Sequence, residues 1–509
     1  MKILLVNEFS GLTTGYSIYG NELLERFYRD GYEIAELATF AQSTGKNIED
    51  CPWKVYSNLP SNEQENQIYS HNPQNSNGKW KFEEVCLDFK PTHIIDIRDV
   101  FMYEFESYSP FRQFYNWIVM ATIDGIPQHP QWIDLYVKAD KLISYTNWGK
   151  KLLESYGLNI FGVASPSASL DFFPIPLEES DKFKKNVGID KKIIGTVMRN
   201  QPRKLFNELF EAFSKYLYIN NNVLLYCHTT YPDIGWDLGE LLIKHNILSK
   251  VLFTYKCYHC HEVYPAFFQD ARSFCPFCKN PTAKMPDGKD PVNNEILNKI
   301  YNLFDCYVQL ASREGFGMPQ LEAHACNIPV INVPYAGMSD MSETIESKGC
   351  DIKGYWMSHP MCMMEVMPDT SSLANLIDKC LQTEKVYSER KNVNWEDTYK
   401  VWKLAVDSSQ IKEWKKQQLN NPPIFNEHKH VSNYNYAQWL VYNVLNKNDE
   451  YLIARITRDL NNGMTTGGLC GNYLIETPDM KHPQLFNRLE AYKICLNKRL
   501  FDNHWLSKV

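Results

Sequence analysis

Apolar residues fall along this chain in short runs, and stretches with helical spacing separate most of those runs. Lys2 to Phe9 (KILLVNEF) reads as a buried strand, and a turn with Gly11 and Gly15 follows it. Ile18, Leu23, Leu24 and Phe27 then mark one side of an amphipathic helix. Gly31 ends that helix, and EIAELATF (33–40) supplies a second strand. Strand, glycine-bearing turn, helix and strand in this order open a doubly wound parallel sheet. Further strands are predicted at HIIDI (93–97), FYNWIVMATI (114–123), KLISYT (141–146) and IFGVAS (160–165). Residues 57–80, rich in Asn, Ser, Gln and Glu, predict a long surface loop. The proline-bearing stretch PSASLDFFPIPLEE (166–179) predicts a linker.

A second series of the same kind follows. KIIGTVM (192–198), VLLYCHTT (223–230), VLFT (251–254), CYVQLAS (306–312) and PVINVP (329–334) predict strands, and LFNELFEAFSKYL (205–217) is the clearest helix. Two such series joined by a linker predict an α/β fold of two Rossmann-like, doubly wound domains facing a cleft. The expected domains are residues 1–172 and 173–407, the second interrupted by an insertion at 255–291. Residues 408–509 are expected to form a mostly helical extension.

Length and charge narrow the picture. With 509 residues, 44% of them hydrophobic, the chain can bury more than one core. A net charge of −7 supplies no overall basic field for nucleic acid or an anionic membrane, so a polyanion must be met by a local patch. No run of about 18 apolar residues is present, and a spanning helix is not expected. The first apolar run breaks at Glu8, which is too early for an export signal. Most of the fourteen cysteines, including Cys227, Cys306 and Cys326, sit within apolar strands or helices, where reduced thiols pack as small hydrophobes. A reducing cytoplasm and no membrane partner are the expectation.

The chemistry concentrates in CYVQLASREGFGMPQLEAHACNIPVINVP (306–334). A buried strand ends at Ser312, a loop carries Glu314, Gly315 and Gly317, and a helix begins at Pro319. Proline suits a first helical position, where its missing N–H would be unpaired anyway. Glycines let backbone amides approach a ligand closely, and the helix start offers free N–H groups and positive dipole to a phosphate. Glu322, in the first helical turn, can accept two hydrogen bonds from a vicinal diol such as ribose. A second segment, IIGTVMRNQPRKLFNELFEAF, places Arg199 just past a strand and Lys204 at a helix start. A cation there opposes the helix dipole, which makes sense if both point at a bound anion.

Glu314-Gly-Phe-Gly-Met-Pro-Gln-Leu-Glu322 resembles the E-x7-E signature of glycosyltransferase family 4, retaining enzymes of GT-B fold. The resemblance implies that Glu314 contacts the transferred sugar and that Glu322 holds the nucleotide ribose. The loop amides at Phe316, Gly317 and Met318 would face the donor, a nucleotide-diphosphate sugar. Arg199 and Lys204 are similar in spacing to the pair with which that family neutralises the diphosphate, and charge stabilisation of the leaving group is where rate would be gained. Leu205 departs from the glycine that usually follows the lysine. Gly15 matches the family's glycine turn near the phosphates, and Asp124, after a buried strand, matches an aspartate or histidine that contacts sugar or acceptor. Asp-Gly is also a common turn pair. His129 is a lesser candidate, while His228 and His324 read as packing residues. The family generally transfers without a divalent metal, a phosphate oxygen taking the acceptor proton.

A separate motif lies in the insertion. Cys257-x2-Cys260 and Cys275-x2-Cys278 are two knuckles 14 residues apart, the spacing of a structural zinc ribbon. Four thiolates leave no open position for catalysis. The ribbon either staples an insertion too small for its own core or grips an acceptor through residues such as Tyr258, Tyr264, Phe267, Phe268, Arg272, Phe274, Phe277 and Lys279. The expected function is transfer of a hexose or pentose from a nucleotide-sugar to a hydroxyl. The cysteine ribbon and the helical extension suggest a macromolecular acceptor, protein or nucleic acid, and viral relatives of the family put a hydroxylated base in DNA first. The alternatives are a noncatalytic nucleic-acid-binding protein and a nucleotide-sugar epimerase on the same fold.

Overall fold

The computed structural model describes residues 1–41, 46–186, 188–269, 274–288, 290–358, 362–383, 394–414 and 447–462, with Glu389, Tyr434, Ala437, Gln438 and Val441. The first six apolar runs, with the edge segment Lys54–Ser57, form seven parallel strands: β1 (Lys2–Glu8), β2 (Glu33–Thr39), β3 (Lys54–Ser57), β4 (His93–Asp96), β5 (Asn116–Ala121), β6 (Lys141–Ser144) and β7 (Ile160–Val163). Their order is β3-β2-β1-β4-β5-β6-β7. The chain therefore reverses direction across the sheet between β1 and β4, where Ile3 aligns with Ile34 on one side and His93 on the other. Side chains of β1 alternate between two buried layers. Ile3 and Leu5 pack with Leu23, Leu24 and Phe27 of the helix Gly15–Arg29, and Leu4 and Val6 pack with Phe82, Val85 and Phe89. A strand covered on both faces needs this unbroken apolar run.

The second series repeats the winding. β8 (Lys192–Val197), β9 (Val223–His228), β10 (Val251–Cys257), β13 (Cys306–Gln309), β14 (Val330–Asn332) and β15 (Lys348–Gly349) lie in the order β10-β9-β8-β13-β14-β15. The reversal here falls between β8 and β13. β10 runs on past its parallel neighbour into the insertion, where β11 (Val263–Phe267) and β12 (Ala283–Lys284) pair with it antiparallel. A hairpin, β16 (Ile352–Met357) and β17 (Met364–Pro368), reaches back to the first domain, where the Met364 amide donates to the Ile126 carbonyl at 2.6 Å.

Two expectations change. Residues 57–80 are not one long loop: Glu63–His71 is a helix with Asn62 as its cap, and Pro73–Asn77 forms a 3-10 turn. The polar surface of that helix, none of it buried, hid its period. The helix Trp395–Asp407 lies at the end of the range 173–407, yet it packs on the first domain. Trp402 is fully buried there and donates from Nε1 to Tyr19 Oη at 2.8 Å, and Tyr399 donates to Asp30 at 2.9 Å. The chain then crosses the first sheet's end, where Trp414 stacks on Phe114. Of the extension 408–509, the helix Glu450–Asn461 is described, and the aromatic stretch at 434–445 lies largely outside the described residues.

Candidate active site

The loops that leave β8 and β13 meet at the reversal of the second sheet, where ligands of doubly wound folds sit. After β8 come Arg199, Arg203 and Lys204; after β13 come Arg313 and Glu314. Glu314 is the hub. Its Oε2 accepts from Arg203 Nη1 at 2.6 Å and also receives the Lys204 ammonium. Burial alone would raise the Glu314 carboxyl, but Arg203 and Lys204 outweigh it and hold it at about 2. Burial pulls the Lys204 ammonium below the ordinary lysine range, opposed by Glu314.

Helix starts frame this cluster. Met318–Ala325 begins after Gly317, whose φ of 89° is in the left-handed region that favours glycine. Phe206–Leu217 begins after Leu205. Neither start has a side-chain cap, whereas the helices beginning after Asn293, Asp369 and Asn394 do. Of their first-turn amides, Phe206 turns back to the Lys204 carbonyl at 2.8 Å, Gln320 bonds the Gly317 carbonyl at 3.3 Å and Pro319 has no N–H, which leaves Met318, Asn207 and Glu208 to offer theirs to water or a ligand. Glu322 follows in the first helix. It is buried, accepts from Tyr301 Oη at 2.6 Å, and is pushed up to about 7 by burial against that hydrogen bond.

Arg199 takes a different position from the one its spacing suggested. Its guanidinium is exposed and held by Asp233 through two bonds, at 2.7 and 3.0 Å, instead of lying beside Lys204. Arg203 fills the place next to Lys204. The sequence did show three cations in six residues, 199–204, but their spacing does not say which one turns inward.

The first domain closes the other side. A Cβ on Gly15 would sit 3.9 Å from Met318 Sδ, and one on Gly315 would sit 3.2 Å from Thr122 Cγ2. Phe316 is buried, with its ring 6.5 Å from that of Tyr145. Asp124 pairs with Arg313, which also bonds Glu365 of β17 at 3.1 Å. That ion pair spans the two domains. Burial raises the Asp124 carboxyl, and Arg313 and Arg203 oppose this. Asp99, beyond β4, was not singled out in the sequence; Tyr16 donates to its Oδ1 at 2.8 Å. Tyr301, Arg313 and Glu365 were likewise missed, and each becomes visible only through a contact distant in sequence. Of the histidines, His129 packs edge-on against Trp132, and His228 Nδ1 lies 2.9 Å from Thr254 Oγ1. Burial holds the His228 ring down at about 4. His324 lies in the last turn of the site helix.

The insertion gathers Cys257, Cys260, Cys275 and Cys278 so that all four sulfurs lie within 4.8 Å of one another. Both knuckles have one hydrogen-bond pattern. Each first cysteine donates its amide to the carbonyl five residues on (Glu262 and Asn280), and receives the amide four residues on (His261 and Lys279), all at 2.9 Å. His261 and Lys279 take positive φ, 62° and 65°. Sulfur pairs at 3.5 and 3.6 Å are close to the roughly 3.8 Å edge of a zinc–thiolate tetrahedron. His259 and His261 are exposed beside the knuckle and outside the group. Arg272 lies outside the described residues. The insertion also touches the loops of the candidate site: Thr230 donates to the Pro286 carbonyl at 3.0 Å, and Tyr231 packs on Phe268.

Residues 290–357, which span Glu314 but only part of the second domain, match the family described as Glycosyl transferases group 1. No curated protein matches the chain. Among solved structures the chain is similar to sucrose-phosphate synthase from Thermosynechococcus elongatus, at 15% identity and a TM-score of 0.54 over 75% of this chain and 90% of that one. It is also similar to a glycosyltransferase from Rickettsia africae ESF-5 (15%, TM-score 0.51, 75% and 88%). A third is Anabaena HepE in complex with UDP and glucose (14%, TM-score 0.51, 75% and 90%). The fold is GT-B. Among the described residues no helix is long and apolar enough to cross a membrane.

Proposed function

We propose that this chain is a glycosyltransferase that moves a sugar from a nucleotide-diphosphate donor to a hydroxyl acceptor. The observation that carries this reading is the Arg203–Lys204–Glu314 cluster, with Lys204 buried and its partners half-buried, set between two helix starts without side-chain caps. Cations and helix amides there would hold the diphosphate and stabilise its charge as it leaves. Arg199 is the second-rank contact, since an arriving phosphate must draw it from Asp233. Glu314, held as a carboxylate, would accept hydroxyls of the transferred sugar, and Glu322 would accept the ribose diol with Tyr301 fixing its orientation. HepE was solved with UDP and glucose, which favours a uridine diphosphate donor here. Retention, and transfer without a catalytic metal, follow from the E-x7-E resemblance. In this reading the four cysteines hold a structural zinc, and all four positions are filled by thiolates.

The test is diphosphate release from UDP-glucose. Lys204→Ala should lower it by about 100-fold or more while secondary structure and zinc content stay unchanged. Wild-type release in that variant would contradict the reading.

For the acceptor, the ribbon offers exposed Phe274 and Phe277 beside Lys279, a combination suited to stacking on bases and meeting phosphates. A hydroxylated base in DNA is the acceptor this supports. Filter binding across a salt titration should then give an affinity that falls steeply with salt. No DNA binding at low salt would leave a small acceptor, and DNA binding without donor binding would favour the noncatalytic alternative.

A further inference from the structure

At the mouth of the cleft two carboxylates of the first domain, Asp99 and Asp124, face the cations of the second. They are held differently. Asp124 is neutralised by Arg313. Asp99 occupies the cap position of the 3-10 turn Val100–Met102, but its side chain makes no capping bond. It turns instead to Tyr16, a neutral phenol on the first turn of the helix Gly15–Arg29. No described residue donates a hydrogen bond to Asp99 Oδ2. Thr122 ties this corner to the donor loop: its hydroxyl donates to the Arg98 carbonyl at 3.4 Å, and its methyl would lie 3.2 Å from a Cβ on Gly315. Asp99 therefore stands next to the Glu314–Gly317 loop with one oxygen anchored and the other available.

We propose that Asp99 is a catalytic base that receives the acceptor hydroxyl at Oδ2 and takes its proton. The inference rests on the glycosyl-transfer reading. The hydroxyl oxygen bonds to the anomeric carbon on the face the diphosphate leaves, so that configuration is retained, as the bond from that carbon to the diphosphate oxygen breaks; Asp99 takes the proton that the family resemblance gives to a phosphate oxygen. The electron pair of the broken bond leaves with the diphosphate, and the proton passes to the Asp99 carboxylate and then to solvent. Asp124 is the poorer base because its charge is already paired with Arg313.

The groups around Asp99 suit it to the task. Burial pushes its carboxyl up to about 6; the Tyr16 bond lowers it, Asp124 raises it, and Arg203 and Arg313 lower it. Tyr103, Tyr136 and Tyr145 complete the titratable groups that face it. A base with this value is ionised at neutral pH yet more basic than an exposed aspartate.

The experiment compares wild type, Asp99→Asn and Tyr16→Phe with UDP-, GDP-, ADP- and TDP-glucose as donors and water as acceptor. Diphosphate release is followed between about pH 5 and 9, and the thermal shift given by each donor is measured alongside. Asp99→Asn should keep the donor shift and lose release by about 100-fold or more. Wild-type release should fall below a pH of about 6, and Asp99→Asn should lack that acid limb. Tyr16→Phe should move the limb to higher pH, because the lost hydrogen bond lowers Asp99. Wild-type release in Asp99→Asn, an unchanged acid limb, or a wild-type chain that binds donor without releasing diphosphate would each overturn the inference. A wild-type chain that no donor stabilises would overturn the glycosyl-transfer reading instead.

Discussion

At the residue scale, environment separates glutamates that composition treats alike. Glu314, between Arg203 and Lys204, stays ionised down to about 2, while Glu322 and Glu36 are pushed by burial up to about 7. Glu36 anchors the loop before the helix Gly15–Arg29, accepting from the Ser10 amide at 2.6 Å, Ser10 Oγ at 2.7 Å and Trp53 Nε1 at 3.3 Å. An acid whose folded pKa is raised favours the folded state while it is protonated. That contribution is complete below the unfolded value and is lost as pH rises through about 7. For a shift of this size it is on the order of 3 kcal/mol. The melting temperature of wild type should therefore drop between about pH 5 and 7.5 more than that of Glu36→Gln. Equal slopes for the two proteins would contradict the assignment.

The elements that the sequence revealed are those whose signal is local. The strand, loop and helix around Glu314 read correctly because strand, glycine, proline and glutamates lie within one segment, Cys306–Ala325. The two cysteine pairs come together as their spacing suggested, for the same reason. The edge strand β3 (Lys54–Ser57) and the helix Glu63–His71 did not, because neither has a fully buried face to leave an apolar period. Arg203, Arg313, Asp99 and Tyr301 were illegible because each is defined by a partner from another element, more than twenty residues away except through the fold. The ribbon's link to the site is also a matter of contact. Cys257 ends β10, Ala283 pairs with it, and Thr230 and Tyr231 join the ribbon to the loop carrying Asp233. If the four thiolates hold zinc as proposed, Cys260→Ser should abolish zinc binding, lower the melting temperature by several degrees and weaken the donor shift. Unchanged metal content would contradict the four-thiolate site, and an unchanged donor shift would confine the ribbon to a separate role.

For the whole molecule, two copies of one winding scheme point the ends of their strands at a shared cleft. The first sheet brings Gly15, Asp99 and Asp124, and the second brings Lys204, Glu314 and Glu322. The Asp124–Arg313 pair, the Met364–Ile126 bond and the returning helix Trp395–Asp407 join the halves, so the site exists only when both domains are in place. The claim that matters most is that this cleft binds a nucleotide-sugar. Its most direct measurement is a thermal-shift panel of nucleotide-sugars and nucleoside diphosphates on the zinc-loaded chain, repeated with Glu322→Ala. The account predicts a rise in melting temperature with one nucleotide, lost in Glu322→Ala. No rise with any member, or an equal rise in the variant, would contradict it.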